Sequence, residues 1–468
     1  MMLISLILLP VVGAAVIGMF HKHPRAVRLT LLATAAFFLA GTILVDCGYD
    51  VVFYNPLYNF LQADLYSKVV ASVTAFLFFC SALYGFFWLP AAREHEKNAM
   101  KDHIFAMILC AFISMMTLAA FASNFGLLWI AVEATTLASA PLIRFHRSQS
   151  ALEAMWKYLL ICSVGIGLAL FGTFILQLAV RSAGYHTLDF FTLAMAHNKL
   201  HPEWFKLAFV FIFVGYGLKM GLAPFHTWLP DAHSEAPAMI SVLLSGALLN
   251  CSFLGIVRAV GIAPDALVPF CRELLIGFGV LSLIVAAFFL IRQSDFKRML
   301  AYSSVEHMGL LAIFWGVGAT NTALAHLAMH SVCKMILFLT AGNILLAAGT
   351  RKVDAVSGLF RNLPRTAAVW FIGVLMICGM PPSPLFATEF LLVSYANPVL
   401  GCIVLFLLFL IFGAMTHTVL KMTSGKENAI PAPAAAQCEK LSIIPATLLF
   451  IPIAAGCYLI VKLVMEVF

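Results

Sequence analysis

The chain has 468 residues, 63% of them hydrophobic, with 41 phenylalanines and a mean hydropathy of +1.00. No polar stretch is long enough for a soluble domain, so composition implies a single polytopic helical membrane domain over 1–468. The net charge of +7 sits in short loops between apolar runs, which is topological charge rather than a nucleic-acid surface. None of the eleven cysteines forms CxxC or CxxH, which argues against an iron–sulfur or zinc site in this chain. No GxGxxG or GxxxxGK[ST] occurs, so no nucleotide site is recognisable.

In chain order, apolar runs predict helices near 2–20, 27–46, 67–89, 104–122, 125–143, 155–180, 207–225, 237–258, 266–291, 299–318, 320–348, 366–395, 398–420 and 442–465. That is an all-α polytopic membrane protein with about fourteen transmembrane helices. The first run lacks a basic segment before it and reads as a membrane helix rather than a cleaved signal. One set of loops carries Lys22 and Arg25; Arg93, Lys97 and Lys101; Arg144 and Arg147; Arg292, Lys297 and Arg298; Arg351, Lys352, Arg361 and Arg365; Lys421, Lys426 and Lys440. The alternate set is poorer in basic residues, so the first set faces the cytoplasm and both termini lie outside. The expected location is a prokaryotic inner membrane.

Charge inside these runs is rare and therefore informative. A lysine near the centre of a membrane helix costs about 2.5–3.5 kcal/mol, so Lys219 is expected to be there for function. Gly221 and Pro224 follow it at once, which weakens the helix and frees backbone groups that can bind water or ions. His226, Asp231, His233 and Glu235 come next, a dense titratable cluster in a chain only 10% charged. The whole stretch, KMGLAPFHTWLPDAHSEAP, reads as an ion pathway. Glu133 stands alone in the fifth run and should be protonated or paired.

The tenth run carries Ser303, Ser304, Glu306 and His307, and the eleventh carries His326, His330 and Lys334 at i, i+4 and i+8. That spacing puts the last three on one helical face. A lone membrane histidine is more often a satisfied core residue, but three titratable groups on one stripe predict a proton relay. His326, nearest the helix start, is expected to matter least. His103, His146 and His417 lie near helix ends and read as interfacial. The twelfth run is interrupted by Gly379-Met380-Pro381-Pro382-Ser383-Pro384, with Glu389 just beyond. Broken helices seven and twelve stand an odd number of helices apart, which predicts two inverted five-helix repeats. Their expected limits are 104–260 (helices 4–8) and 266–421 (helices 9–13).

These residues carry a resemblance. KMGLAPFHTWLPDAHSEAP, with Glu133 two helices earlier and AYSSVEHMG (Ala301 to Gly309) later, resembles the antiporter-like subunits of respiratory complex I, Mrp-type antiporters and membrane-bound group 4 hydrogenases. SEAPAMISVLLSGALLNCSF and SSVEHMG are most similar to the F-type subunit of hydrogenase 4 and its formate hydrogenlyase relatives. The resemblance implies that Glu133 and Lys219 are the coupled ion pair of a first half-channel. It implies that His307, His330 and Lys334 continue a central hydrophilic axis ending at Glu389. His226 and Asn250 complete the candidate set, and Asn250 stands where several complex I members have a lysine. The implied function is proton translocation by a non-catalytic subunit with no cofactor of its own. Iron–sulfur and NiFe centres are expected in partner subunits, among other membrane subunits and a cytoplasmic redox arm. An NADH-quinone oxidoreductase subunit and a stand-alone Na+/H+ antiporter are the rival readings.

Overall fold

The computed structural model describes residues 2–48, 60–95, 99–425 and 432–467. Lys97 and Lys426, two of the loop charges counted above, lie outside them. The described residues are helical throughout, without a strand. Isolated β-bridges join loops at Leu61 and Ala122, Asn124 and Asp189, and Asp295 and Lys352.

The helices in order are α1 (Met2–Met19), α2 (Pro24–Asp46), α3 (Leu65–His95), α4 (Asp102–Phe121), α5 (Phe125–Ile143), α6 (Gln149–Ser182) and the short α7 (Phe190–Met195). Next come α8 (Pro202–Met220), α9 (Trp228–Glu235), α10 (Ala238–Leu243), α11 (Leu249–Gly261), α12 (Val268–Leu290), α13 (Phe296–Gly316) and α14 (Thr320–Ala348). The rest are α15 (Leu359–Asn362), α16 (Pro364–Ile377), α17 (Pro384–Tyr395), α18 (Pro398–Thr423), α19 (Ala432–Leu441), α20 (Ile443–Leu448) and α21 (Phe450–Val467). Eleven helical segments among the described residues are long and apolar enough to cross a membrane. The pieces α16 and α17 are apolar but shorter.

Local chemistry sets many of the ends. Proline opens α2, α8, α16, α17 and α18, where its missing N–H costs nothing. Asn124, Ser148, Asp189, Asp295, Ser383 and Asn397 each accept a backbone N–H at a helix start. The run predicted at 155–180 begins six residues earlier, at Gln149. Its first turns are polar but helical, with Glu153 and Lys157 paired at 2.7 Å across one turn. An apolar-run criterion cannot see such a start.

The most deeply buried span is Ala238–Gly261, where α10 and α11 are joined by a π-helical turn, Leu244–Leu248. Helices α13 and α14 pack beside it, whereas α1, α18 and α21 expose most of their apolar surface. Helix α6 meets α8 closely enough that a Cβ on Gly215 would come within 2.6 Å of the Gly165 carbonyl oxygen. Helices α12 and α13 repeat this approach at Gly279 and Gly309. Small residues let these membrane helices approach backbone to backbone.

Candidate ion pathway

Helix α8 stops one residue after Lys219 because Gly221 takes the left-handed conformation at φ +85°. The chain resumes as α9 only at Trp228, seven residues on and beyond the seventh predicted run, 207–225, whose last residues are therefore not helical. Lys219 is fully buried at the end of α8. Its Nζ donates to Thr136 Oγ1 and, at 3.1 Å, to the Tyr158 hydroxyl. Thr136 Oγ1 lies 3.4 Å from Glu133 Oε2, and Ser163 donates to Glu133 Oε1 at 2.8 Å. Glu133 and Lys219 are therefore joined through one hydroxyl rather than in direct contact. Tyr158 in turn lies 2.6 Å from Ser139 Oγ, whose own proton is directed to the Thr135 carbonyl.

The acidic residues of the same stretch reach a polar surface. Asp231 pairs with Lys157 at 3.2 Å and Arg298 at 2.8 Å, and Glu235 pairs with Arg351 at 2.7 Å. They line a cleft of about 600 Å³ together with Asp295. Lys297, counted above as a loop charge, is instead 1% exposed. It donates to the Ser234 and Ala236 carbonyls at the end of α9, where a cation complements the helix dipole. His226 is buried between Phe289 and Tyr302, with ring centroids 6.1 and 6.0 Å away. It lies apart from the Lys219 group.

Asn250 sits just past the π-helical turn. Its Nδ2 donates to the Gly246 carbonyl at 2.6 Å and to Ser331 Oγ at 3.1 Å, while its buried Oδ1 has no partner. Ser331 is the chain neighbour of His330, so Asn250 reaches from α11 to the polar stripe of α14.

The stripe meets α13 and α17. Lys334 is fully buried, and its Nζ donates to the Leu300 carbonyl at 2.6 Å and Ser303 Oγ at 2.9 Å. Glu306, also buried, is an electrostatic partner of this lysine. The His307 ring lies 4.8 Å from that of His330 and 5.2 Å from that of His326. His307 Nδ1 faces His326 Nε2 at 3.1 Å, and His307 Nε2 reaches the Ile377 carbonyl at 3.1 Å. His326 Nδ1 reaches Thr388 Oγ1 at 2.9 Å. Glu389 points back to the interruption between α16 and α17, and its buried Oε1 has no partner. The structure thus brings His307, His330 and Glu389 to one junction, with Lys334 one turn from His330.

His326, expected to matter least, is placed in direct contact with His307. Sequence reasoning misses Thr136, whose i+3 spacing from Glu133 is a usable signal. It also misses Ser163, Tyr158 and Thr388, for which no local signal exists, whereas Ser303, named with the polar group of the tenth run, is the hydroxyl that holds Lys334.

Interior lysines held by hydroxyls, beside interrupted helices in a bundle of apolar spans, define a class of polytopic helical membrane proteins with a polar interior. Residues 122–416, more than half of the chain, match the family described as NADH:quinone oxidoreductase/Mrp antiporter, TM, and the chain belongs to that family. It is 31% identical over 444 residues to a hydrogenase-4 component F homolog of Methylacidiphilum infernorum (isolate V4), covering 92% of this chain and 91% of that one. It is 27% identical to NADH-quinone oxidoreductase subunit N of Laribacter hongkongensis (strain HLHK9), covering 83% of this chain and 79% of that one. Its fold is similar to a chain in the structure of the membrane-bound sulfane sulfur reductase, an archaeal respiratory membrane complex. That match has TM-score 0.84 and 21% identity, and covers 97% of this chain and 94% of that chain. The chain is an antiporter-like, multi-pass membrane subunit of the complex I, Mrp and group 4 hydrogenase type.

Proposed function

We propose that this subunit moves protons across a prokaryotic inner membrane as part of a hydrogenase 4 or formate hydrogenlyase-type complex. The electron transfer that drives it takes place at iron–sulfur and NiFe centres of partner subunits in a cytoplasmic redox arm. The observation that carries the reading is a fully buried lysine on either side of Asn250, each hydrogen-bonded to hydroxyls and accompanied by a carboxyl group. These are Lys219 with Thr136 and Glu133, and Lys334 with Ser303 and Glu306. Fourteen spans with both termini on the outer side rest on the loop-charge count, and inverted repeats over 104–260 and 266–421 rest on the paired interruptions of helices seven and twelve.

The chemistry follows from what each group can hold. Glu133, through Thr136, supplies the counter-charge for the Lys219 ammonium. Moving Glu133 away leaves the ammonium with only neutral acceptors in a dry interior, where a lone charge is costly, so its proton leaves. Asn250 can accept and donate but cannot carry charge, so transfer past it runs through water held on its free Oδ1. Lys334 and the His330–His307 pair receive the proton, and Glu389 releases it at the broken helix, on the outer side. His226 belongs to the same route on the cytoplasmic side, without direct contact to Lys219.

Glu133→Gln and Lys219→Ala should each stop ion movement in the assembled complex, and the double variant should be no worse than either. Independent, additive losses would count against a coupled pair. The similarity to NADH-quinone oxidoreductase subunit N favours one alternative assembly. Identifying the subunits that copurify with the chain, hydrogenase-type or NADH-dehydrogenase-type, separates the two.

A further inference from the structure

We propose that His307, His326 and Glu389 form a binding site for a divalent transition-metal ion of the zinc class. One ligand atom from each lies within 4.8 Å of the others, and all three residues are buried. The way the two rings are held is what calls for a cation. His307 Nε2 faces a carbonyl, Ile377 O, so that nitrogen carries the hydrogen. Thr388 spends its own hydroxyl proton on the Leu385 carbonyl at 2.9 Å and so accepts from His326 Nδ1. These partners assign the tautomers, and they leave a lone pair on each of the facing nitrogens, His307 Nδ1 and His326 Nε2. Two lone pairs 3.1 Å apart repel unless a cation lies between them, either a shared proton or a metal ion, and the nearby carboxylate of Glu389 is what a metal ion would add as a third ligand.

A tetrahedral ion with metal–nitrogen bonds of about 2.0–2.1 Å sets two imidazole nitrogens roughly 3.3 Å apart, close to the spacing seen. Outer N–H groups tied to a carbonyl and a hydroxyl are what orient metal-binding histidines. The third ligand is available, because Glu389 Oε1 is buried and unpartnered. Gly379 makes room for this carboxylate, since a Cβ there would collide with Glu389 Oε2. Two neutral imidazoles and one carboxylate suit zinc rather than magnesium or calcium. The cysteine-based expectation of no metal misses the set because its members come from α13, α14 and α17. Bound zinc would occupy three groups assigned above to the proton route and close it.

The test is a Zn2+ titration of the full chain in detergent, after chelator treatment, with metal counted by elemental analysis and affinity set by a competing chromophoric chelator. One Zn2+ per chain is expected, with an X-ray absorption spectrum showing two imidazole ligands. His326→Gln and Glu389→Gln should each weaken binding at least tenfold, and Thr388→Val, which keeps all three ligands, by roughly tenfold. Should His326→Gln fail to fold, Thr388→Val tests the same site. Absence of zinc binding, or equal stoichiometry and affinity in wild type and variants, overturns the site. No proton flux is measured, so this result and that of the proposed function fail independently.

Discussion

Thr136 is the residue on which the Glu133–Lys219 coupling depends, because its hydroxyl touches both partners. A hydrogen bond to a charged group is worth about 1.5–3 kcal/mol, or roughly ten- to a hundredfold in a rate it controls. Thr136→Val keeps the shape and removes the oxygen, so ion movement should fall by about that factor while the complex still assembles. Thr136→Ser should retain most of it. Equal flux in the valine variant would show that Glu133 acts on Lys219 without the bridge. Lys334 can be judged the same way: Lys334→Met should block transfer beyond α14, and Asn250→Leu should slow it. Full coupled pumping in both, measured as ion flux per electron in sealed vesicles, would remove the axis through α11, α13 and α14. These lysines are legible in the sequence because charge is costly in an apolar run. Tyr158 and Ser163 are not, since each is a common polar residue on α6 that gains meaning only when α6 closes on α5 and α8.

At the scale of elements, the interrupted helices do most to place the site, and their interruption is written in glycine and proline. Gly221 and Gly379 both take positive φ, +85° and +68°, where a side chain is strained. Gly379 has a second duty, because its missing Cβ leaves the space that Glu389 fills. Gly379→Ala therefore adds a left-handed alanine, about 1–2 kcal/mol, and drives the carboxylate away. The expected result is a modest loss of thermal stability in detergent with a loss of ion flux as deep as in Glu389→Gln. Flux at the wild-type level would show that Glu389 need not sit against the break. Other elements are illegible for physical reasons. The π-helical turn at Leu244–Leu248 lies in a fully buried, mostly apolar stretch, and its Ser245 and Gly246 are residue types common in ordinary membrane helices, so they do not single out altered winding. The polar first turns of α6 depend on a surface ion pair, not on hydrophobic periodicity.

Across the whole molecule, polar side chains run through the interior from α5 to α17, so the bundle must hold its helices in register without much hydrophobic driving force between them. One tie that does this joins the segment before α3 to α11. The Arg258 guanidinium grips both oxygens of Asp64, one of them at 2.8 Å, and also Ser67 Oγ at 3.1 Å. The same segment is bound to α4 by the Gln62 N–H donating to the Phe121 carbonyl at 2.8 Å. Burial alone would push the Asp64 carboxyl up, but the Arg258 hydrogen bonds and charge, helped by Ser67, hold it below its ordinary value of 3.8. A carboxyl whose folded value is lowered stabilises the fold at pH above its ordinary value. That stabilisation is lost as pH falls from there through the lowered folded value. Arg258→Met leaves a largely buried carboxylate without its cation, and should cost about 1–3 kcal/mol at neutral pH. Protonation of the unfolded chain is common to both and cancels. The gap in unfolding temperature should therefore narrow as pH falls from above 3.8, where the folded variant's Asp64, raised by burial alone, takes up its proton, down through the lowered value of the folded wild type. A gap that stayed constant from pH 7 to pH 3 would mean that Arg258 stabilises the bundle by packing over Tyr66 and Phe190, 5.7 and 5.0 Å away, rather than through Asp64.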